Sequence, residues 1–363
     1  MKNPTSTSLA VVYHPGRTLS EKLEEMSMGV KEFAVRTTKP EKTIIAVMKG
    51  SSSITPEMAV AFESVTMIPA HFWMNKQRAY DEFLARKKRE QEIVLSTAWM
   101  KKFPVKEMIE RGLIAACTSV EETLESIFSF FSVSSEKAWE DYYLNQELKV
   151  AFRISLANSK NPYSMSVWLR QGELQAKSKN IDIQFSKEEI RSKLKDMKSL
   201  MKEAPEDFFI KLQDICASCG ICLLYTPCFS KAPISGATRW IGDTPIIQVS
   251  NRYQSYDKLW FTFFHEVGHI LLHGKKSIFL EDAGYFDIEE ETKEKEADVF
   301  ASNIVFPKIQ ETAFVAQKNF TNDAIIRAAN LYGTHPSIIV GRLQHNKTIA
   351  YWQGKELIKK VSL

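Results

Sequence analysis

Two histidines and a glutamate within one apolar segment have the spacing of a zinc-binding motif. The segment from Trp260 to His273 contains the pattern H-E-x-x-H, in which His265 and His269 are the histidines and Glu266 is the glutamate. On an α-helix this spacing places both imidazoles on one face, one turn apart, so that both can bind one zinc ion. Glu266 points about 100° around the helix from His265, which suits a carboxylate acting on water rather than on the metal. The pattern predicts a hydrolytic site with Glu266 as general base.

A catalytic zinc site of this kind needs a third protein ligand. Glu296 is the best candidate, because it lies in a second helical segment, residues 289–302, whose acidic first turn suits a helix amino terminus. The small residues Ala297 and Ala301 would let this helix approach the first one closely. His273 is the alternative ligand, but a straight helix carries it another ~6 Å along the axis. We therefore assign His273 a structural or ligand-orienting role.

The surroundings of the motif favour metal binding over a chance match. The segment from Leu259 to Leu272 is otherwise apolar, and burying a glutamate and two imidazoles is costly without a partner. A metal ion supplies that partner. Asp298 could orient a histidine ligand by accepting a hydrogen bond from the ring nitrogen that does not bind the metal. The reaction also needs a hydrogen-bond donor to the oxyanion that forms on the substrate carbonyl. The sequence offers Tyr253, Arg252, Arg239 and His273 for that role without choosing among them.

These motifs resemble the ImmA/IrrE family of metallo-endopeptidases. The similar stretches are residues 234–241, 245–250, 263–273, 294–301 and 303–307. The resemblance implies a gluzincin-like, zincin-type domain with a small β-sheet, in which His265, His269 and Glu296 bind Zn²⁺ and Glu266 is the catalytic carboxylate. It also implies a protein substrate, such as a helix-turn-helix repressor.

Length and composition describe an ordinary globular protein of two or three domains. The chain has 363 residues, of which 44% are apolar and 25% are charged, and its net charge is +4. No uncharged apolar run reaches the ~18 residues that span a bilayer, and the amino terminus lacks a signal-peptide pattern. We expect a cytoplasmic protein with no membrane contact.

Five cysteines, at positions 117, 216, 219, 222 and 228, invite an iron–sulfur or zinc interpretation. However, residues 208–218 have helical periodicity and residues 221–225 have the pattern of a buried strand, so the sulfurs should point in different directions. We interpret them as small buried thiols.

The amino-terminal region is predicted to form short helices, two of which have helix-turn-helix spacing. Apolar residues recur at helical intervals in residues 18–26, 30–37, 41–48, 56–65 and 69–87. Only residues 38–40 join the second helix to the third, which would therefore enter the major groove of DNA. The candidate DNA contacts are Lys39, Glu41, Lys42, Thr43 and Lys49.

Residues 13–85 resemble the DNA-binding domain of HigA-type antitoxins. The resemblance rests on residues 14–17, 49–59 and 72–81, and it implies that a homodimer binds operator DNA and that a toxin is a possible partner. Ile45, Ala46 and Ser51 offer weak base or phosphate contacts. A role in dimerisation or partner binding alone therefore stays open.

The sequence as a whole predicts an α+β protein of three parts. These are an all-α helix-turn-helix domain at residues 1–89, a helical connector at residues 90–165, and a metallopeptidase domain at residues 166–363. The predicted function is a zinc endopeptidase that regulates transcription by cleaving a repressor or toxin. The alternative is an antitoxin-type repressor whose metal site is structural or acts as a sensor.

Overall fold

The structure, a computed structural model, describes residues 12–145, 161–179, 181–230, 234–252, 254–276, 279–280, 288–361 and 363. The protein has a mixed α+β fold, with many helices and one small sheet, as predicted. The chain divides into two compact units, the first ending at Ser96 and the second beginning at Thr97. Within the described residues, no helix has both the length and the apolar character needed to cross a bilayer.

The first unit contains the five helices predicted from periodicity. They are α1 (Pro15–Glu25), α2 (Val30–Arg36), α3 (Glu41–Met48), α4 (Pro56–Thr66) and α5 (Ala70–Leu95). Each contributes apolar side chains to a single core, which includes the fully buried Leu19, Phe33, Ile44, Phe62 and Trp73. Burial of one apolar face per helix holds these short elements together, because helices of this length are marginal alone.

Helices α2 and α3 form the predicted helix-turn-helix pair. The turn between them contains Thr38 in the left-handed region, with φ 52°, and Pro40 caps α3. Because α3 buries only Ile44 and Val47, its opposite face is left on the surface of the unit.

The second unit begins with four helices that precede the metallopeptidase-like part. They span Thr97–Met100, Val105–Glu110, Val120–Phe131 and Glu136–Glu140, followed by a π-helical turn at Asp141–Asn145. Arg111 donates hydrogen bonds to the carbonyls of Pro227 and Cys228, and Arg170 donates to the carbonyl of Phe130. The segment predicted as a connector therefore packs within the second unit. The boundary predicted at residue 89 falls inside α5.

The sheet has four strands in the order β1-β3-β2-β4. Strand β1 (Cys222–Tyr225) is parallel to β3 (Thr244–Val249), while β2 (Gly236–Ile241) is antiparallel to both β3 and β4 (Phe279–Leu280). One face of the sheet packs on the helix Tyr256–Leu272, which we call the motif helix, and the other face contacts the helix Pro162–Ser178.

The remaining helices complete the core around the motif helix. They span Lys187–Glu203, Phe208–Ser218, Ile288–Val305, Lys308–Ala316, Asn322–Tyr332 and Pro336–His345, with short 3₁₀ turns at Gly274–Lys276 and Lys355–Leu357. We call Ile288–Val305 the acidic helix and Pro336–His345 the carboxy-terminal helix.

The cysteines are free thiols spread over different elements. Cys216 lies in the helix Phe208–Ser218, Cys219 follows that helix, and Cys222 begins β1. Burial raises the pKa of the Cys216 thiol well above its ordinary value, which disfavours the thiolate that a metal would need.

Candidate metal centre

The motif helix is the most deeply buried helix of the site. All residues from Thr262 to Leu271 are buried, including His265, Glu266 and His269. A helical stretch that is buried on every side belongs in a protein core, and its three ionisable side chains must therefore find partners there.

A close contact between two helices brings the acidic helix to the motif helix. At Gly268, a Cβ atom would lie 3.1 Å from Phe300 Cδ1 and 3.2 Å from Ala297 Cα. Ala297 and Ala301 are both completely buried. The expected role of these small residues in a close helix approach is confirmed.

Glu294, and not Glu296, is the carboxylate that meets the two histidines. Its Oε2 lies 3.1 Å from His265 Nε2 and its Oε1 lies 3.3 Å from His269 Nε2, while the two Nε2 atoms are 2.9 Å apart. Among the described residues, these three side chains form the group whose donor atoms could hold one metal ion. The prediction of Glu296 as the third ligand is therefore corrected.

Helical phase explains the difference. Ala297 and Ala301 pack against the motif helix, and Glu294 precedes them by three and seven residues on the same face. Glu296 is rotated about 100° from Ala297, and its Oε2 instead lies 2.9 Å from His273 Nε2. The i, i+3, i+7 pattern of Glu294 with the two alanines was the signal in the sequence that could have identified it.

Asp298 fixes the orientation of the first histidine. Its Oδ1 lies 2.9 Å from His265 Nδ1. Since an ionised carboxylate only accepts hydrogen bonds, His265 Nδ1 carries the proton and its Nε2 turns a lone pair toward Glu294. Carboxylates support histidine ligands of metals through contacts of this kind, and this contact is the one that an orienting role of Asp298 requires.

A hydrogen-bond chain behind the second histidine explains both His273 and Glu296. Glu296 accepts from His273 Nε2, so in the neutral imidazole His273 Nδ1 is an acceptor. His273 Nδ1 lies 3.1 Å from His269 Nδ1, which therefore donates a hydrogen bond to it. With its proton on Nδ1, His269 carries an unprotonated Nε2 whose lone pair faces the site. His273 thus contacts the outer nitrogen of His269 and lies behind the ligand group.

The donor set fits a divalent metal such as zinc. In these tautomers, two imidazole lone pairs and a carboxylate converge within 3.3 Å of one another, an arrangement that a cation stabilises. Tetrahedral zinc with bonds of about 2.0–2.1 Å separates its ligand atoms by roughly 3.3 Å, close to the observed spacing. Two nitrogens and one carboxylate oxygen are also a common zinc donor set.

Electrostatics keep these donors in the protonation states that bind metals. Burial lowers the pKa of His269 to about 4, against the opposing effect of Glu294. Burial alone would raise the pKa of Glu294, but hydrogen bonds from the imidazoles, wherever their Nε2 atoms carry a proton, lower it to about 2, and a bound metal would take the place of that proton. A neutral imidazole and an ionised carboxylate are the forms that coordinate metal.

Glu266 is completely buried and lies against strand β2. A Cβ atom at Gly236 would lie 2.7 Å from Glu266 Oε1 and 2.6 Å from Thr262 Cγ2, and Thr238 Oγ1 donates to the Glu266 carbonyl at 3.2 Å. Only glycine leaves room for the carboxylate here. Gly236 is a site residue that the sequence did not single out, because the close approach exists only in the folded protein.

The geometry of the sheet removes one of the candidates for an oxyanion donor, Arg239. Successive side chains of a strand alternate between faces, so Arg239 lies on the opposite face from Gly236 and Thr238. Its Nη2 donates to the Leu169 carbonyl at 2.6 Å, and burial lowers its pKa to about 10. The assignment of Arg239 to the site is therefore wrong. Tyr253 lies outside the described residues, and Arg252 is partly buried.

The candidate DNA contacts differ in their exposure. Glu41 and Lys42 are exposed in the first turn of α3, Lys49 is exposed directly after the helix ends, and Thr43 is partly buried. The side chain of Lys39 is only 17% exposed and forms an ion pair with Glu57. Lys39 is therefore less available to phosphate than the other two lysines.

Comparisons with known proteins assign the two ends of the chain to different families. Residues 216–343, which contain the whole ligand group, match the IrrE N-terminal-like domain, Peptidase M78. The carboxy-terminal part of the chain therefore contains an IrrE-like Peptidase M78 domain. This match confirms the resemblance on which a metallopeptidase fold was predicted.

The amino-terminal region is similar to helix-turn-helix regulators and antidote proteins. The uncharacterized HTH-type transcriptional regulator YddM of Escherichia coli (strain K12) is 30% identical over 66 residues, which cover 18% of this chain and 70% of that protein. A solved addiction module antidote protein of a HigA family from Coxiella burnetii is 30% identical, with 23% of this chain and 92% of that chain covered and a TM-score of 0.22. A putative antidote protein of a plasmid maintenance system from Nostoc punctiforme PCC 73102 is 24% identical, with 23% and 91% covered and a TM-score of 0.23. The chain thus joins a regulator-type domain to an M78 domain.

Proposed function

We propose that this protein is a zinc-dependent endopeptidase that regulates transcription by cleaving a repressor or partner protein. The observation that carries the proposal is the position of Glu266, a completely buried carboxylate next to His265 in the helix that also provides His269. A structural zinc site uses four protein ligands and has no need of such a carboxylate. A catalytic zinc site instead uses three protein ligands with a carboxylate such as Glu266 beside them.

The residues of the site divide the chemistry among them. His265, His269 and Glu294 would hold zinc, which when bound activates water and polarises the substrate carbonyl. Glu266 takes the proton from the attacking water and returns it to the leaving amine. Asp298 holds His265 in the tautomer whose Nε2 faces the site, and His273 does the same for His269.

The test is cleavage of a helix-turn-helix protein encoded by a neighbouring gene, followed with purified full-length protein. We expect about one zinc per chain by elemental analysis and a defined cut in the wild type. Glu266→Gln should keep the zinc, because this side chain is outside the ligand group, and should lose 10²-fold or more in rate. A metal-free protein that cannot be loaded, or equal cleavage by Glu266→Gln, would overturn the proposal.

A second function is favoured by the similarity of the first unit to an HTH-type regulator. We propose that the exposed face of α3 binds operator DNA as a homodimer in the cytoplasm. If the protein represses its promoter equally with Glu266 or with glutamine at this position, and cleaves none of the neighbouring regulators, the repressor function would stand without proteolysis.

A further inference from the structure

A cavity of about 390 Å³ lies beside the candidate metal centre. Its walls come from the motif helix, the acidic helix and the carboxy-terminal helix, and they include Phe261, Thr262, Asp298, Val305, Ile338 and Arg342. Ligand cavities in proteins have volumes of about 300–1,000 Å³. This one is at the lower end of that range, a size suited to one side chain rather than to a whole peptide.

The cavity shares a wall with the metal centre. Phe261 is one helical turn before His265, and their ring centroids are 6.3 Å apart. Asp298 lines the cavity and also lies 2.9 Å from His265 Nδ1. The cavity therefore adjoins His265 through two of its neighbours, Phe261 and Asp298, and a side chain that entered it would lie next to this histidine.

The base of the cavity is apolar. Val305 and Ile338 are buried, and the ring of Phe261 is partly buried. These side chains can contact methylene groups of an occupant, which contributes about 0.8 kcal/mol per buried CH₂.

Arg342 places one positive charge in the wall of the cavity, which Asp298 and Glu311 attract from nearby. Its guanidinium carbon lies 6.0 Å from the centroid of the Phe261 ring, and burial lowers its pKa. Within the part of the chain that the structure describes, Arg342 makes no ion pair within 4.0 Å. By contrast, the two acidic residues of the wall already accept hydrogen bonds. Asp298 accepts from His265, and Asp257 accepts from Ser255.

We propose that this cavity is a subsite for an acidic side chain of the protein substrate, with Arg342 binding its carboxylate. The inference rests on the proposed peptidase function and specifies its substrate. Arg342 is a cationic donor of the wall with no ion pair among the described residues, so an occupant that carries a carboxylate can bind it directly. Glutamate and aspartate combine such a group with methylenes that suit the apolar base.

The probe is a set of decapeptide mixtures, each with Glu, Gln or Lys fixed at one position, cut by the zinc-loaded full-length protein and read by mass spectrometry. We expect Glu to raise kcat/KM about 10- to 100-fold over Lys at one position near the cut. Arg342→Glu should reverse this preference and Arg342→Lys should retain part of it. Arg327→Glu, the same charge change at an exposed helical residue, is the matched control and should leave the preference intact.

A second measurement separates the subsite from the chemistry. Binding of the same mixtures, carrying a fluorescent label, to zinc-loaded Glu266→Gln is followed by anisotropy. Tighter binding of the Glu mixtures, reversed when Arg342→Glu is added, supports the subsite whether or not any mixture is cut. If none of the mixtures is cut, that outcome counts against the peptidase function and not against the subsite. Cleavage or binding without an acidic preference, or a preference that survives Arg342→Glu with thermal unfolding unchanged, overturns the subsite.

Discussion

Replacing Glu294 or Glu296 by glutamine distinguishes the ligand set that we infer from the structure from the one expected from sequence alone. The Glu294 side chain is 16% exposed and contacts the Nε2 atoms of both His265 and His269. The Glu296 side chain is 56% exposed and contacts His273, which in turn contacts His269. The two substitutions are isosteric and remove the same charge, so each is the matched control of the other.

The expected magnitudes follow from these contacts. Loss of a partner that only orients a ligand costs about 10- to 100-fold in metal affinity. Glu296→Gln should be at the lower end of that range, about 10-fold, because the residue is exposed and acts through one intervening ring. Glu294→Gln removes a ligand and should exceed about 100-fold, or about 2.7 kcal/mol.

The assay is competition for zinc against a chelator of known affinity, with the metal content measured on the same samples. Circular dichroism and thermal unfolding of the metal-free proteins show whether both variants keep the fold. A larger loss of affinity in Glu296→Gln than in Glu294→Gln would refute the argument from helical phase and restore the ligand expected from the sequence.

Three further outcomes follow from the structure. Gly236→Ala places a Cβ 2.7 Å from Glu266 Oε1, so it should retain zinc yet lose about 100-fold in cleavage rate; an active variant would contradict the close approach. Burial lowers the pKa of His335 to about 4, whereas the unfolded chain binds this proton below about pH 6.5. Stability should therefore fall by about 1–2 kcal/mol, after allowance for solvent screening, as pH drops from 6.5 to 4. His335→Asn should remove that component from urea unfolding curves. Lys42→Ala should weaken operator binding and reduce the salt slope by about 1, whereas the ion-paired Lys39 should matter less; equal effects in a DNA-binding titration would contradict their different exposure.

Patterns that depend on neighbours within one helix were predictable from the sequence. The i, i+4 spacing of His265 and His269 fixes their common face in any helix, whatever surrounds it. The five helices of the first unit were predicted for the same reason, since each buries an apolar stripe that recurs every three or four residues. Asp298 makes the contact expected from the sequence because it lies one turn after Glu294 on the same helix.

Side chains whose role depends on packing between distant elements were not predictable in the same way. Arg239 was misplaced because the face of a strand that meets the motif helix is set by the register and packing of the sheet. Gly236 and Arg342 gained their significance only from contacts made across the fold.

The sequence alone determined the chemistry of this protein: a histidine pair, an acid beside it, and a second acidic helix able to complete a metal site. The tertiary structure decided which glutamate lies against the histidine pair. Each residue turns a helix by about 100°, so the contact of Gly268 with Ala297 sets the rotation of the acidic helix and points Glu294 at the histidines. That rotation depends on how the surfaces of two helices pack together, so it cannot be predicted from residue spacing within either helix alone.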